Sequence, residues 1–322
     1  MTDGGAPPRA RVLVTGADGY LGTSVVRRLC EAGCEVLGLT RRPAGAARRA
    51  DGARPVRGDV RDARGLAAMV REERIDAICH LAALTRTADS RRDPLGYFAT
   101  NVQGTVNVLG ALTGRGRAGP ARLVFVSTCA VYRPGSGTPA REDDPLGPDT
   151  PYAASKRAAE EVIGFQAATG SLGAVTLRCV NIAGADGRPD PDPARLVPRT
   201  LLAATGRVPA LTVAGDGSAV REFVHVDDVA RACVAALEGC CAGEHAVFNV
   251  GSGTGVSVRE VVAAAEELTG RRVPVVHREG GGGPAVLRAD SRRIRDRLGW
   301  RPRRSAIGQI LADTLAAGLP EP

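Results

Sequence analysis

Tyr152 and Lys156 are the residues of this chain whose types and spacing are best suited to proton chemistry. They stand in the run Pro151-Tyr152-Ala153-Ala154-Ser155-Lys156, and among 43 lysine and arginine residues Lys156 is the single lysine. An ammonium is a compact charge with a movable pKa, whereas a guanidinium is forked and stays charged. Four residues apart, the two side chains share one face of a helix. A phenol beside a cation gives up its proton more readily than the reference pKa of about 10 implies. Tyr152 is therefore a candidate acid/base near neutral pH. The plain alternative is a solvated tyrosine/lysine pair, which the uniqueness of the lysine argues against.

Strands and helices around the pair must hold it in place. Arg11 to Thr15 is a short aliphatic run followed by Gly16-Ala17-Asp18-Gly19-Tyr20-Leu21-Gly22, and Ser24 to Ala32 reads as a helix. Strand, glycine turn and helix in that order form a cradle for the pyrophosphate of a dinucleotide, with glycines allowing close backbone approach. A second strand, Glu35 to Leu39, ends at Thr40-Arg41-Arg42. An NAD site places an acid there for the ribose 2′-hydroxyl; the two arginines instead suit a 2′-phosphate, which points to NADP. Val56 opens a third strand, and beyond it Asp59 suits the adenine amino group. Ile75 to Leu81 reads as a fourth strand, with Ala82 and Ala83 small enough for a cofactor to lie against its end. Pro94 to Leu112 is one long amphipathic pattern carrying Asn101. Leu123 to Val126 delivers Ser127 and Thr128 at a strand end, where ligands gather in open α/β sheets. Pro151 opens the helix that carries Tyr152 and Lys156.

The alternation predicts an α/β fold: a Rossmann-like, doubly wound parallel sheet with a smaller mixed α/β substrate-binding region on the C-terminal side. The dinucleotide-binding domain is placed at residues 10–180, with returning segments at about 220–250, and the smaller region at 181–320. Ser257 and Glu260 form a capping box for a helix running to Thr269. Residues 43–55 and the four glycines at 280–283 read as loops.

The formal charge of +8 raises nucleic-acid binding, but the arginines are interspersed with acids and aromatic residues make up only 3% of the chain. That leaves few platforms for bases. Eight cysteines lack zinc spacing and lie mostly in apolar runs, so small core residues in a reducing compartment, with no metal, are expected. Residues 1–9 have no apolar signal core and no run approaches the ~18 apolar residues of a membrane span. A cytoplasmic protein that binds neither membrane nor nucleic acid is expected.

Taken together, the motifs resemble the extended short-chain dehydrogenase/reductase superfamily and, within it, the NAD-dependent epimerase/dehydratase family of sugar-nucleotide enzymes. The resemblance runs from about Val12 to Pro302. It rests on Gly16/Gly19/Gly22, Ser127-Thr128, Tyr152 and Lys156, Leu177 to Asn181, Arg221 to Asp228, and Leu298-Gly299-Trp300. The UDP-glucose 4-epimerase branch looks most similar, notably through Asn181-Ile182-Ala183-Gly184-Ala185. The resemblance implies that Tyr152 takes the proton of the sugar 4-hydroxyl, Lys156 supports it and holds the nicotinamide ribose, and Thr128 hydrogen-bonds the same oxygen. The cofactor, NAD by family habit, would lie along the glycine turn with Asp18, Tyr20 and Leu21. Further along it would meet Thr40, Arg41 and Arg42, then Asp59 and Val60, Leu81 to Ala83, Asn101 and Ser127. The substrate, a nucleoside-diphosphate sugar, would meet Thr85, Thr128, Asn181, Arg195, Leu196, Ala214, Arg221 and Arg278. The reaction would invert C4 through a transient 4-keto sugar with the cofactor retained. A homodimer through the helices at 95–112 and 153–168 is expected.

Two rival readings use the same scaffold, and a third abandons catalysis. A 4,6-dehydratase would need the Asp-Glu pair that follows the catalytic threonine in that branch, whereas Cys129-Ala130 follows Thr128. A 4-ketoreductase would consume NADPH, in keeping with Thr40-Arg41-Arg42, and turnover without added cofactor separates it from an epimerase. A non-catalytic dinucleotide sensor would be expected to lose Tyr152 or Lys156. Ala214 stands where relatives carry an aromatic residue near the nucleobase, so the identity of the base stays open.

Overall fold

The aliphatic run after Ala10 forms β1 (Arg11–Thr15), and after the glycine turn come α1 (Tyr20–Glu31) and β2 (Glu35–Thr40). The computed structural model describes residues 10–42, 52–133, 138–279 and 286–322. Expectations placed on residues 1–9, 43–51 and the glycines 280–283 lie outside these. β3 (Arg54–Arg57), α2 (Ala63–Glu72) and β4 (Ala77–His80) follow. The amphipathic pattern from Pro94 is not one helix. After α3 (Thr87–Arg92) it divides into α4 (Pro94–Phe98), a π-helical turn at Ala99–Gln103 and α5 (Gly104–Thr113). π-Helical turns inside α-helices often mark functional positions, and this one carries Asn101.

β5 (Ala121–Thr128) runs into a single 3₁₀ turn, Cys129–Val131, and α6 spans Pro151–Ala167. Thr150 caps α6 by accepting from the Ala153 amide, with Pro151 in the first turn. That pairing of a hydroxyl cap with proline starts a helix cleanly. It fixes where Tyr152 and Lys156 fall. The remaining elements are β6 (Leu172–Cys179), β7 (Asn181–Ala183), α7 (Leu196–Ala204), β8 (Leu211–Ala214), β9 (Val220–His225) and α8 (Val226–Glu238). They are followed by β10 (His245–Val250), β11 (Gly255–Ser257), α9 (Val258–Thr269), β12 (Val275–Arg278), β13 (Val286–Leu287), α10 (Arg292–Leu298) and α11 (Ile307–Ala316).

The large sheet has seven strands in the order β10-β6-β5-β4-β1-β2-β3, and β3, β2, β1, β4 and β5 run parallel. Strand order reverses between β1 and β4, the switch point where open α/β sheets bind ligands at their C-terminal ends. Leu13, Leu37, Ile78, Leu123 and Phe125 on the strands and Leu112 and Ile163 on the helices fill the core.

Two compact units emerge. The first comprises the described residues up to Val131, Pro148–Leu177 and Ala230–Val247; the second comprises Tyr132–Gly147, Arg178–Val229 and Phe248–Pro322. In the second, β9 pairs in parallel with β7 and β13 and antiparallel with β11, while β8 and β12 form a separate parallel pair. Leu201, Leu202, Val261, Ala265, Ile310 and Leu311 from α7, α9 and α11 form its core. The capping box of α9 has both of its hydrogen bonds. All eight cysteines are free. Among the described residues no helix is long and apolar enough to cross a membrane, and no group of His, Cys, Asp and Glu could hold a metal ion.

Candidate active site

The glycine turn of the first unit is shaped by close approach. Gly16 has φ +70°, and a Cβ there would lie 3.0 Å from the Ala82 amide nitrogen. A Cβ on Gly22 would sit 2.1 Å from the Gly16 carbonyl oxygen. Only glycine lets the first turn of α1, with Tyr20 and Leu21, pack onto the end of β1 in this way. Gly19 occupies the N-cap of α1 and donates its amide to Gly16 O at 2.9 Å. A glycine cradle on a helix N-terminus at the switch point fits a dinucleotide pyrophosphate.

Around the cradle, Leu81 and Ala82 both donate their amides to Thr15 Oγ1 at 3.1 Å. With two donors on its oxygen, Thr15 gives its own proton to His80 Nδ1 at 2.7 Å. His80 Nε2–H then donates to Thr105 Oγ1 at 3.1 Å, and Thr105 donates to Asn101 O at 2.6 Å. Burial, and then the charge of Lys156, lower the His80 pKa to about 3, so the imidazole is neutral at physiological pH. The Asn101 amide continues the chain. Its Oδ1 accepts from Leu84 N at 2.9 Å, and its Nδ2 donates to Leu84 O at 3.0 Å and to Ser155 Oγ at 2.9 Å. Ser155 in turn donates to Tyr152 O at 2.8 Å. The π-helical turn thus ties the segment after β4 to the first turns of α6. Ala83 lies within that segment, and Thr85 is exposed just beyond it.

Tyr152 meets the Tyr97 ring edge to face at a centroid separation of 6.4 Å. Lys156 is 3% exposed, with its Nζ 4.1 Å from the centre of the Phe125 ring. An ammonium removed from water needs such compensation. One helical turn further on, the buried Glu160 accepts a short hydrogen bond from Ser127 Oγ. Ser127 and Thr128 close β5, and Thr128 Oγ1 accepts from the Ala130 amide at 3.2 Å. The hydroxyl proton of Thr128 has no acceptor among the described residues.

Asp18 accepts from Thr40 Oγ1 at 3.1 Å, and Arg42 Nε lies 3.3 Å from the same carboxylate oxygen. Arg41 is exposed. Asp59 is held by Arg61, whose hydrogen bonds keep the carboxyl below its ordinary pKa. Val60 is buried, and its carbonyl accepts from Asn107 Nδ2 at 2.9 Å.

In the second unit, Asn181 opens β7 and donates to Glu222 O at 2.9 Å. Arg221, on β9, is half-buried, and that burial lowers its pKa. Arg195 caps α7 just before Leu196 and pairs with the buried Asp190 at 3.3 Å. Ala214 and the exposed Arg278 are register partners at the ends of β8 and β12. The structure therefore groups Asn181 with Arg221 on neighbouring strands and Ala214 with Arg278 on another pair. Asp18, Thr40 and Arg42 form one cluster of the first unit, while Asn101, Ser127, Thr128, Tyr152 and Lys156 gather near the ends of β4 and β5.

Sequence reasoning missed Thr15, His80, Ser155, Glu160 and Glu222. Glu160 had a legible signal, four residues beyond Lys156 on the same helix face. Glu222, fully buried, accepts from Gly253 N at 2.6 Å and Ala289 N at 2.8 Å. Those partners are far away in sequence and had no local signal.

The NAD-dependent epimerase/dehydratase family model matches residues 12–251. A UDP-glucose 4-epimerase of Azospirillum brasilense is 37% identical over 320 residues, covering 95% of this chain and 91% of the relative. A UDP-glucose 4-epimerase of Streptomyces lividans is 39% identical, covering 93% of this chain and 94% of the relative. Among solved structures, the UDP-glucose 4-epimerase of Stenotrophomonas maltophila with bound NAD and formylated UDP-arabinopyranose superposes with a TM-score of 0.88 at 33% identity. That match covers 96% of this chain and 98% of the other. The Brucella ovis UDP-glucose 4-epimerase in complex with NAD has a TM-score of 0.86 at 31% identity, covering 96% and 99%. The glycine turn, the strand-end hydroxyls, the tyrosine and lysine of α6 and this near full-length likeness agree: the chain belongs to the NAD-dependent epimerase/dehydratase family.

Proposed function

We propose that the protein is a sugar-nucleotide 4-epimerase acting on a UDP-sugar, with Tyr152 as its acid/base. The observation that carries this reading is the convergence of Thr128, Tyr152 and a buried Lys156 on the part of the sheet that also carries the glycine cradle. When bound, NAD+ supplies a reversible hydride acceptor. Tyr152 takes the proton of the sugar 4-hydroxyl as the C4 hydrogen leaves with its electron pair, and later returns that proton. The ammonium of Lys156 stabilises the phenolate, an effect strengthened by burial. Thr128 steadies the reacting oxygen with its uncommitted hydroxyl proton. One proton and one hydride leave and one of each returns, so no reductant is consumed.

Cys129 and Ala130 follow Thr128 where a dehydratase would need carboxylates, which weighs against loss of water. In the second unit, Arg221, Arg278 and Asn181 suit a diphosphate, since a guanidinium fork pairs phosphate oxygens. In that unit Ala214 is assigned to the nucleobase, with Arg195 and Leu196 as further substrate contacts. A homodimer is part of the proposal: Leu95 and Phe165 are 82% and 78% exposed on α4 and α6, and large apolar side chains this open suit a subunit contact. Size-exclusion chromatography with light scattering reads that state.

The test is incubation of the purified protein, without added cofactor, with UDP-, dTDP-, ADP- and GDP-sugars, followed by NMR. Inversion at C4 of a UDP-hexose is expected. Loss of water, or turnover only with added NADPH, would replace this reading by a dehydratase or a ketoreductase.

A further inference from the structure

The end of β2 poses a chemical problem. A site for NAD places an acceptor there for the ribose 2′-hydroxyl, yet β2 ends on Thr40 and continues into Arg41 and Arg42. The acid is supplied from elsewhere. Asp18, in the glycine turn, reaches the end of β2, where Thr40 Oγ1 donates to its Oδ2 at 3.1 Å and Arg42 Nε lies 3.3 Å from that oxygen. The Arg42 amide donates to Thr40 Oγ1 at 3.1 Å. One carboxylate thus knits the turn that cradles phosphate to the strand end that reads the ribose.

Charge matching then separates the two dinucleotides. Arg42 is matched by Asp18, and Arg61 is matched by Asp59 through a fork of two hydrogen bonds. Arg41, and Arg57 as the register partner of Thr40 on β3, are further exposed cations of this corner among the described residues, and the charge of Arg41 also acts on Asp59. A 2′-phosphate would bring about −1.5 to −2 of charge against a carboxylate that already occupies Arg42. A 2′-hydroxyl has the opposite requirement, because it needs an acceptor, which Asp18 is. Hydrogen bonds to a charged acceptor are the stronger kind.

We propose that Asp18 is the specificity-determining acid of the cofactor site: it replaces the acid missing from β2, holds Arg42, and makes the chain select NAD+ over NADP+. This rests on the reading of the first unit as a dinucleotide site and goes beyond it. The two arginines that look like a 2′-phosphate clamp in the sequence are then not one.

The experiment has two readouts independent of turnover. Nucleotide released by denaturing the purified protein is identified by mass spectrometry, and dissociation constants for NAD+ and NADP+ are measured by calorimetry on protein freed of nucleotide. The wild type should carry NAD+ and bind it about 100-fold more tightly than NADP+, the combined size of one charge-assisted hydrogen bond to the ribose and one avoided repulsion. In Asp18→Asn that ratio should collapse by about tenfold or more, with NADP+ binding strengthened as Arg42 is released. Arg42→Ala should keep the preference for NAD+, which tests whether the arginine is a 2′-phosphate clamp even if Asp18→Asn does not fold. A wild type that prefers NADP+ or binds both equally would overturn the proposal, as would loss of NADP+ binding in Arg42→Ala from a wild type that binds it well. Protein that binds neither dinucleotide would overturn the cofactor reading itself, and this proposal with it.

Discussion

Among the described residues, the first unit buries hydroxyls, an amide, a neutral imidazole and a single carboxylate, Glu160, around one ammonium, whereas the second buries several carboxylates and leaves its candidate ligand arginines half-buried or exposed. In the first, Thr15, His80 and Thr105 are linked by hydrogen bonds to the Asn101 carbonyl, and the Asn101 side chain bonds Ser155, which donates to the Tyr152 carbonyl. In the second, acids act as knots. Asp228 accepts from the amides of Arg303 and Arg304 at 2.9 Å and from Ser305 Oγ at 2.6 Å, and Glu222 gathers the amides of Gly253 and Ala289. The residue proposed to move a proton stands in a setting of mostly neutral hydrogen-bonding groups, with one buried ammonium and one buried carboxylate. Groups that grip a phosphate need fixed charge and reach, and short strands provide both. The difference predicts that changes in the first unit alter the rate of chemistry, and that changes among the arginines of the second alter binding.

The largest effect is expected for Tyr152→Phe. Removing the acid/base should lower kcat by about 10²- to 10⁴-fold, with KM nearly unchanged in steady-state kinetics. A raised KM with kcat intact would place Tyr152 among the binding groups and break the contrast. Next comes Arg221→Gln, which should raise KM about ten- to a hundredfold while leaving kcat within about threefold. A fall in kcat alone would move Arg221 into the chemistry.

The smallest effect concerns acid. His80 stays neutral in the folded protein down to about pH 3, while the unfolded chain protonates it below about 6.5. The unfolded state therefore binds the extra proton in that window, and stability contributed by neutral His80 is lost as pH falls through it. The slope is at most about 1.4 kcal/mol per pH unit. Denaturant titrations of wild type and His80→Gln at pH 7 and 5 should show a shallower pH dependence in the variant. A native His80 imidazole resonance that titrates near pH 6.5 would contradict the buried neutral histidine.

Much of this was legible because local rules and tertiary packing agree. β1, the glycine turn, β5 with Ser127 and Thr128, and the Thr150-Pro151 start of α6 all carry their signals within a few residues. Where the two diverge, the sequence misleads. α1 begins at Tyr20 rather than Ser24, because Gly22 serves close packing on Gly16 rather than a turn. The pattern from Pro94 to Leu112 gives no hint of its π-helical turn, which serves contacts of Asn101 with Leu84 and Ser155, the latter 54 positions away. Leu298-Gly299-Trp300 and Asp227-Asp228, legible as motifs, are partners in structure: Trp300 Nε1 donates to Asp228 O at 2.9 Å, and Gly299 caps α10 at φ +65°. Acid–amide knots join segments about 30 to 80 residues apart, and no periodicity records them.

The central claim is that the C4 hydrogen leaves and returns within one active site while Tyr152 carries the proton. Its most direct test is turnover of UDP-glucose deuterated at C4, in ordinary water and without added cofactor. Inverted product with deuterium still at C4 is expected; exchange of that deuterium for solvent hydrogen would contradict this route.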